Sequence, residues 1–276
     1  MNKIIYTCIV LLFACLIQAN NYNWKNNDFQ AVSHIFDIKV PDSHQRSIFQ
    51  PNSFADWLRQ LPLKAPESKV HTFSGELKSN QDAHYALLDI DVGDKDLQQC
   101  ADAVIRLRAE FLYAMKRYDE IRFNFTSGDS CSFRQWINGM RPYVSINKVK
   151  WKESEEKDSS YQTFRNYLNR VFMYAGSYSL EKELLDKATI ENIEIGDVFI
   201  QGGFPGHAVI VVDVAENNKT GERLFLLAQS YMPAQDIHIL KNPNDSTLSP
   251  WYSVNFGNLL KTPEWIFTNK DLHSFK

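Results

Sequence analysis

The sequence predicts an α+β domain in which one long helix packs on an antiparallel sheet, and three observations carry that prediction. Leu97, Cys100, Val104, Leu107, Phe111, Ala114 and Tyr118 recur at helical spacing over Asp96 to Tyr118. Four apolar runs, Asp197 to Gln201, His207 to Val214, Arg223 to Gln229 and Gln235 to Leu240, follow one another with turn-rich links between them. No internal repeat, low-complexity tract or second long hydrophobic run divides the 276 residues.

At the N-terminus, Lys3 precedes an uncharged stretch from Ile4 to Ile17 that ends at Gln18-Ala19, and the chain then turns polar. This is the pattern of a secretory signal peptide cleaved after Ala19, too short to span a bilayer comfortably. A single domain from residue 20 to 276 is therefore expected to be exported to the periplasm or the extracellular space. The Leu12-Phe13-Ala14-Cys15 stretch offers lipoprotein anchoring at Cys15 as an alternative, ranked second because Phe13 is bulky and Leu16-Ile17 are apolar. Residues 20 to 66 read as an irregular N-terminal wrap, with a short helix from Ser53 to Gln60 that opens on a serine cap.

Two strands are expected next, Val70 to Leu77 and His84 to Val92, closed as a hairpin by Ser79-Asn80-Gln81-Asp82. The long helix follows, with Asp96 and Gln99 forming a start that resembles a capping box. A strand at Ile121 to Phe125 precedes a turn and a short helix near Ser132 to Asn138. Trp151 to Ser160 is so highly charged that it reads as a solvated loop. Helices at Tyr161 to Tyr174 and Ser179 to Lys187 flank Gly176, a natural stop. The aromatic tail from Pro250 to Phe267 is expected to pack back on the body.

Net charge is −3 with both signs interspersed, so neither a nucleic-acid footprint nor an anionic-membrane footprint is present, and no membrane segment is expected once the leader is removed. Of four cysteines, Cys8 and Cys15 lie in the leader, which leaves Cys100 and Cys131 to pair as a disulfide, to sit inert, or to include one catalytic thiol.

The segment best suited to chemistry is Gly196 to Asp213. The turn Gly202-Gly203-Phe204-Pro205-Gly206 delivers His207 to the first position of a strand, and glycines there leave room for a substrate backbone at Gly203 and Gly206. Alternation puts Asp213 on the same strand face but about 20 Å away, too far to orient the imidazole. If the Asn217 to Gly221 loop closes a hairpin centred on Asn218, Gln229 falls directly opposite His207, and Val209 opposite Leu227. A carboxamide there can accept the ring N–H and fix the tautomer, with His238 as a substitute.

Cys100, in the first turn of the long helix, is the matching nucleophile. The helix start and a neighbouring imidazolium would make its thiol substantially thiolate at neutral pH. Cys131 competes if Asp129 or Ser130 caps its helix, and a buried inert thiol is the plain alternative for Cys100. Tyr231 is placed to line a substrate groove or to pack in the core. Asp89 and Asp91 share a strand face, but no third ligand lies nearby, so a solvated face is the expectation and no metal or cofactor is predicted. Arg106 to Glu110 reads as a charged, ion-paired helix face.

Gly196-Asp197-Val198-Phe199 followed by His207-Ala208-Val209-Ile210-Val211 resembles the central strands of the papain-like NlpC/P60 and CHAP amidases and peptidases. That resemblance implies a papain-like fold, with Cys100 as nucleophile, His207 as general base and Gln229 as third member. The expected activity is cysteine-dependent hydrolysis of amides, acting on peptide or peptidoglycan-like substrates of the cell envelope. A non-catalytic envelope binding or scaffold protein on the same fold is the alternative. Leu88 to Gly93, Gln99 to Phe111, Phe123 to Gly128, Gly196 to Asp213 and Ala228 to His238 are also similar to an exported bacterial family, domain of unknown function 4846, to which no activity is assigned.

Overall fold

The computed structural model describes residues 22–25, 30–145, 148–187 and 189–276. The expected signal peptide and lipoprotein cysteine lie outside them. The five helices among these residues are α1 (Phe54–Arg59), α2 (Cys100–Ala114), α3 (Phe133–Ile137), α4 (Tyr161–Tyr174) and α5 (Ser177–Glu183). The main sheet contains β1 (Gln45–Arg46), β2 (His84–Leu87), β3 (Leu185–Asp186), β4 (Val198–Gln201), β5 (His207–Glu216), β6 (Arg223–Gln229), β7 (His238–Leu240), β8 (Tyr252–Ser253) and β9 (Leu272–Ser274). Its order is β2-β7-β6-β5-β4-β9-β3, with β1 joined to β5 and β8 joined to β6, and every pairing is antiparallel. Among the described residues no helix is long and apolar enough to cross a membrane.

The middle of the sheet is covered on both faces, and β5 shows it: every residue from His207 to Ala215 is buried. A strand of this composition cannot alternate apolar and polar residues, because neither face meets water. Helices α1 and α2 both pack on β5. On the side of α1, buried Asp213 accepts from Arg46 Nε at 2.6 Å and Arg59 Nε at 2.7 Å, which ties the N-terminal segment to the sheet.

Several expected elements differ from those observed. Val70 to Leu77 forms no strand; it bends back on itself through an isolated His71–Leu77 bridge around Gly75. The neighbouring strand is shorter than expected and pairs with β7, a partner about 150 residues downstream that a local hairpin signal cannot reveal. Of the expected loop Trp151 to Ser160, Trp151–Glu153 ends the second strand of a hairpin, Met140–Ser145 with Lys148–Glu153, and Ser154 to Ser160 is exposed and irregular as expected. The last helix ends at Glu183, and Leu185–Asp186 becomes an edge strand.

Helix α2 is buried on nearly all sides, including the stretch expected to be a charged surface. Arg106 and Glu110 are fully buried and meet through Nε and Oε1 at 2.7 Å. Gln98 Oε1 accepts from Arg106 at 2.8 Å, and Tyr161 Oη donates to Glu110 at 2.7 Å, so the pair takes its hydrogen bonds from protein in place of water. The aromatic tail does fold back, burying Trp251, Tyr252 and Phe267.

Candidate functional site

The site forms where β5 begins, β6 ends and α2 starts. Helix α2 opens one residue after Gln99, whose backbone N–H is accepted by Asp102 at 3.2 Å, so Cys100 is the first helical residue. The expected cap Asp96 does a different job. Its Oδ1 accepts from the Ala234 N–H at 2.7 Å and from Gln99 Nε2 at 3.1 Å, fastening the helix start to the loop after β6. Ser230 completes the clamp by donating to the Gln98 carbonyl at 3.0 Å. The Cys100 sulfur faces the backbone N–H groups of Cys100, Ala101 and Ala208, the last being the residue after His207. Cys100 is partly exposed.

His207 Nε2 and Gln229 Oε1 are 2.8 Å apart. The register that produces this contact is not the expected one. The β5–β6 ladder runs through Ile210↔Ala228 and Val211↔Leu227, with a bulge at Val212, so Val209 does not oppose Leu227. Continued toward the site, that register sets Val209 opposite Gln229 and leaves His207 two residues further on. The His207–Gln229 contact is therefore a diagonal one, bridged by the length of the glutamine side chain. Gln229 directly opposes His238, whose Nε2 is 3.4 Å from Gln229 Nε2, so His238 stands behind Gln229 and does not replace it.

An aromatic cage surrounds the imidazole, with ring centroids at 5.0 Å for Tyr231, 5.3 Å for Trp265 and 5.9 Å for Phe267. Only 1 % of His207 is exposed. The turn before it presses on α5: a Cβ on Gly206 would sit 2.3 Å from Ser177 Oγ and 2.7 Å from two backbone carbonyls. The close approach expected for a substrate at Gly206 is thus made to the protein itself. Gly203 adopts φ +150°, and the turn tip projects Phe204, 91 % exposed. Met232 is exposed in the loop that follows β6.

Burial governs the protonation states. It pushes the Cys100 thiol up to about 11, aided by the Asp102 carboxylate and opposed by the three backbone N–H groups. It lowers His207 to about 4, against the Gln229 hydrogen bond and the Glu264 charge, which raise it. The expected thiolate–imidazolium pair is accordingly not the resting state of the free protein. Both groups are neutral near pH 7 because desolvation outweighs the helix start. Cys131 is no competitor: it lies within the strand Ser130–Ser132, wholly buried, and burial raises its thiol to about 12. Both cysteines are free thiols, so they do not bridge.

Two charged residues that sequence reasoning missed complete the site. Glu264 Oε2 accepts from Gln229 Nε2 at 2.7 Å, and Lys78 Nζ lies 2.6 and 2.5 Å from the two Glu264 oxygens. Glu264 belongs to a turn in the tail, Thr262-Pro263-Glu264-Trp265, that closes the small hairpin Leu260–Lys261 with Ile266–Phe267. Proline after the first turn residue was a readable signal for it. Asp89 and Asp91 bind cations from the protein itself, Lys25 at 2.5 Å and Arg165 at 2.9 Å. Among the described residues no group of three His, Cys, Asp or Glu is arranged to hold a metal ion.

Residues 35–274 match the family described as domain of unknown function (4846). The chain belongs to that family. The match spans the site from Lys78 to Phe267, so the site is part of the domain that defines domain of unknown function 4846. No curated protein and no solved structure matches the chain.

Proposed function

We propose that this domain is a cysteine-dependent amide hydrolase of papain-like type, with Cys100 as nucleophile, His207 as general base and Gln229 as the residue that orients it. The observation that carries the reading is the His207–Gln229 contact beside a helix-start thiol. With Nε2–H donating to Gln229 Oε1, the unprotonated ring nitrogen is Nδ1, and the sulfur of Cys100 lies against the N–H of Ala208, next in sequence to that ring.

In the reaction the Cys100 thiol gives its proton to His207 Nδ1 as sulfur bonds to the acyl carbon. The carbonyl oxygen takes the negative charge, facing N–H groups that the first turn of a helix leaves without intrahelical partners. Collapse of the adduct breaks the C–N bond, and the imidazolium returns the proton to the leaving amine. Water then attacks the thioester with the same base. Envelope peptides are the substrate class, given the expected export, and exposed Phe204 in the turn before His207 and Met232 in the loop after β6 offer apolar contacts.

A non-catalytic binding role on the same scaffold is favoured by one feature, the near-complete burial of His207 under Trp265, Tyr231 and Phe267. Labelling of the reduced full chain with iodoacetamide separates the two readings. Cys100 is expected to react faster than the sealed Cys131 and to lose that advantage in His207→Ala. Reaction is expected to persist well below pH 7, since His207 stays unprotonated down to about pH 4. Equal rates for the two thiols, or a His207→Ala variant that labels Cys100 as fast as the parent, overturns the hydrolase reading.

A further inference from the structure

A glutamine is an ambiguous orienter. Its oxygen and nitrogen ends have nearly the same shape, so neither packing nor backbone decides which end meets His207. The choice has consequences for the ring. With the oxygen toward His207, Nε2 must carry the hydrogen and Nδ1 is a free base; with the nitrogen toward His207, Nε2 must accept, and the hydrogen moves to Nδ1. Some other group has to remove the ambiguity.

We propose that Glu264, anchored by Lys78, locks the Gln229 carboxamide with its oxygen toward His207 and so sets which ring nitrogen of His207 carries the proton. An ionised carboxylate can only accept hydrogen bonds, so the end of Gln229 that meets Glu264 Oε2 at 2.7 Å is the NH2 end. His238 agrees with that assignment. Its Nδ1 lies 2.9 Å from the Asp236 carbonyl and must donate, which leaves Nε2 as an acceptor, 3.4 Å from the same Gln229 nitrogen. The longer contact makes His238 the weaker of the two constraints.

Glu264 is itself fixed. Besides Lys78, Asn80 Nδ2 donates to it at 3.3 Å. Lys78 is buried, lies 5.1 Å from the Tyr231 ring centroid, and with the Gln235 carboxamide oriented by its partners it also donates to that oxygen at 3.2 Å. The result is a continuous chain, Lys78 to Glu264 to Gln229 to His207. Glu264 and Lys78 act on the imidazole with opposite sign, the carboxylate favouring the imidazolium and the ammonium opposing it. The other titratable groups facing His207 are His238 behind Gln229, Tyr231 beside the ring and Cys100 across Ala208, while Trp265 and Phe267 are uncharged. Glu264 is thus a positioning residue for the proposed hydrolase, deepening that reading through the free Nδ1 it requires.

Nitrogen-15 NMR of the full chain with labelled histidine reads the tautomer directly, whether or not Cys100 reacts. The parent is expected to show His207 as a single Nε2–H tautomer at pH 7. Glu264→Ala is expected to give a mixture of tautomers, and Glu264→Gln, whose amide can present either end to Gln229, to give a mixture as well. Charge is read separately by titration: Glu264→Gln is expected to lower the proton affinity of His207, and Lys78→Met to raise it, by about three- to tenfold each. A folded Glu264→Ala variant that keeps the pure Nε2–H tautomer overturns the proposal. Should that variant not fold, shifts of the same sign in Glu264→Gln and Lys78→Met, or no shift in either, overturn it instead. A chain in which Cys100 proves inert while these shifts appear would refute the hydrolase reading and leave the positioning role standing.

Discussion

Replacing His238 with Asn is expected to flatten the acid limb of the protein's stability. The ring is wholly buried, and burial, with smaller contributions from Lys78, His84 and His207, lowers its proton affinity to a pKa of about 3 against the Asp236 hydrogen bond. The unfolded chain binds a proton near pH 6.5, the folded one only near 3, so the neutral ring contributes stability that is complete above 6.5 and drains away as pH falls through that window. The slope is about 1.4 kcal/mol per pH unit, or ~3 kcal/mol between pH 6.5 and 4.5. Asn keeps a donor for the Asp236 carbonyl but leaves a void, costing about 1–3 kcal/mol at pH 7. Urea unfolding of parent and variant from pH 7.5 to 4.5 is the assay, with the difference between them isolating this one group from every other titration. The stability deficit of His238→Asn should shrink steadily with acid and approach zero or reverse by pH 4.5. A deficit that is constant across the range refutes the claim that His238 is held neutral by the fold.

Two further outcomes follow from the packing. Glu110→Leu leaves Arg106 buried without its carboxylate and is expected to cost about 3–5 kcal/mol in urea unfolding, whereas Arg106→Met with Glu110→Leu together recovers most of that loss, because the charge and its desolvation leave together; an additive double variant contradicts this. Gly206→Ala places a methyl against Ser177 Oγ and two carbonyls and is expected to destabilise by about 1–3 kcal/mol, with a loss of preferential Cys100 labelling as the His207 turn shifts; unchanged stability and labelling would show that the turn has room.

Where the hydrophobic signal is local the sequence was readable. Strand β6 has the predicted ends, β5 starts at His207, and the serine-capped α1 starts and stops within a residue of its expected limits. Failures came from partners that are distant or from charge read as exposure. Lys148 to Lys152 alternates Lys, Val, Lys, Trp, Lys, which is a strand pattern, yet the expected loop began at Trp151 because charge was read as exposure, and it holds only from Ser154 to Ser160. Arg106 and Glu110, four residues apart, have the spacing of a surface pair and are buried only because Gln98 and Tyr161 arrive from other segments. The bulge at Val212 leaves no trace in composition, and with it went the predicted register. His207 and Gln229 were still found as partners, because both hairpin registers keep the two side chains on one face.

The protonation of Cys100 shows why a helix-start position read from sequence does not fix the state of a thiol. A first-turn position is legible, and its influence has a known size: a helix start stabilises an anion by about 0.3–1 kcal/mol, up to ~2 kcal/mol when partly buried. That corresponds to at most one to two pKa units. Desolvation acts in the opposite direction and depends on what covers the thiol, here β5 at Ala208 and the loop that carries Tyr231, neither of which is adjacent in the chain. Lifting the thiol to about 11 means the burial cost exceeds everything the helix start and Ala208 return. In the proposed reaction, deprotonation depends on a base that is itself neutral near pH 7, and burial holds His207 in that form. The same low-polarity surroundings that make a resting thiolate unfavourable therefore also keep the imidazole unprotonated, the form the proposed hydrolase requires, and the tautomer of that imidazole rests on Gln229 and on the charged pair behind it.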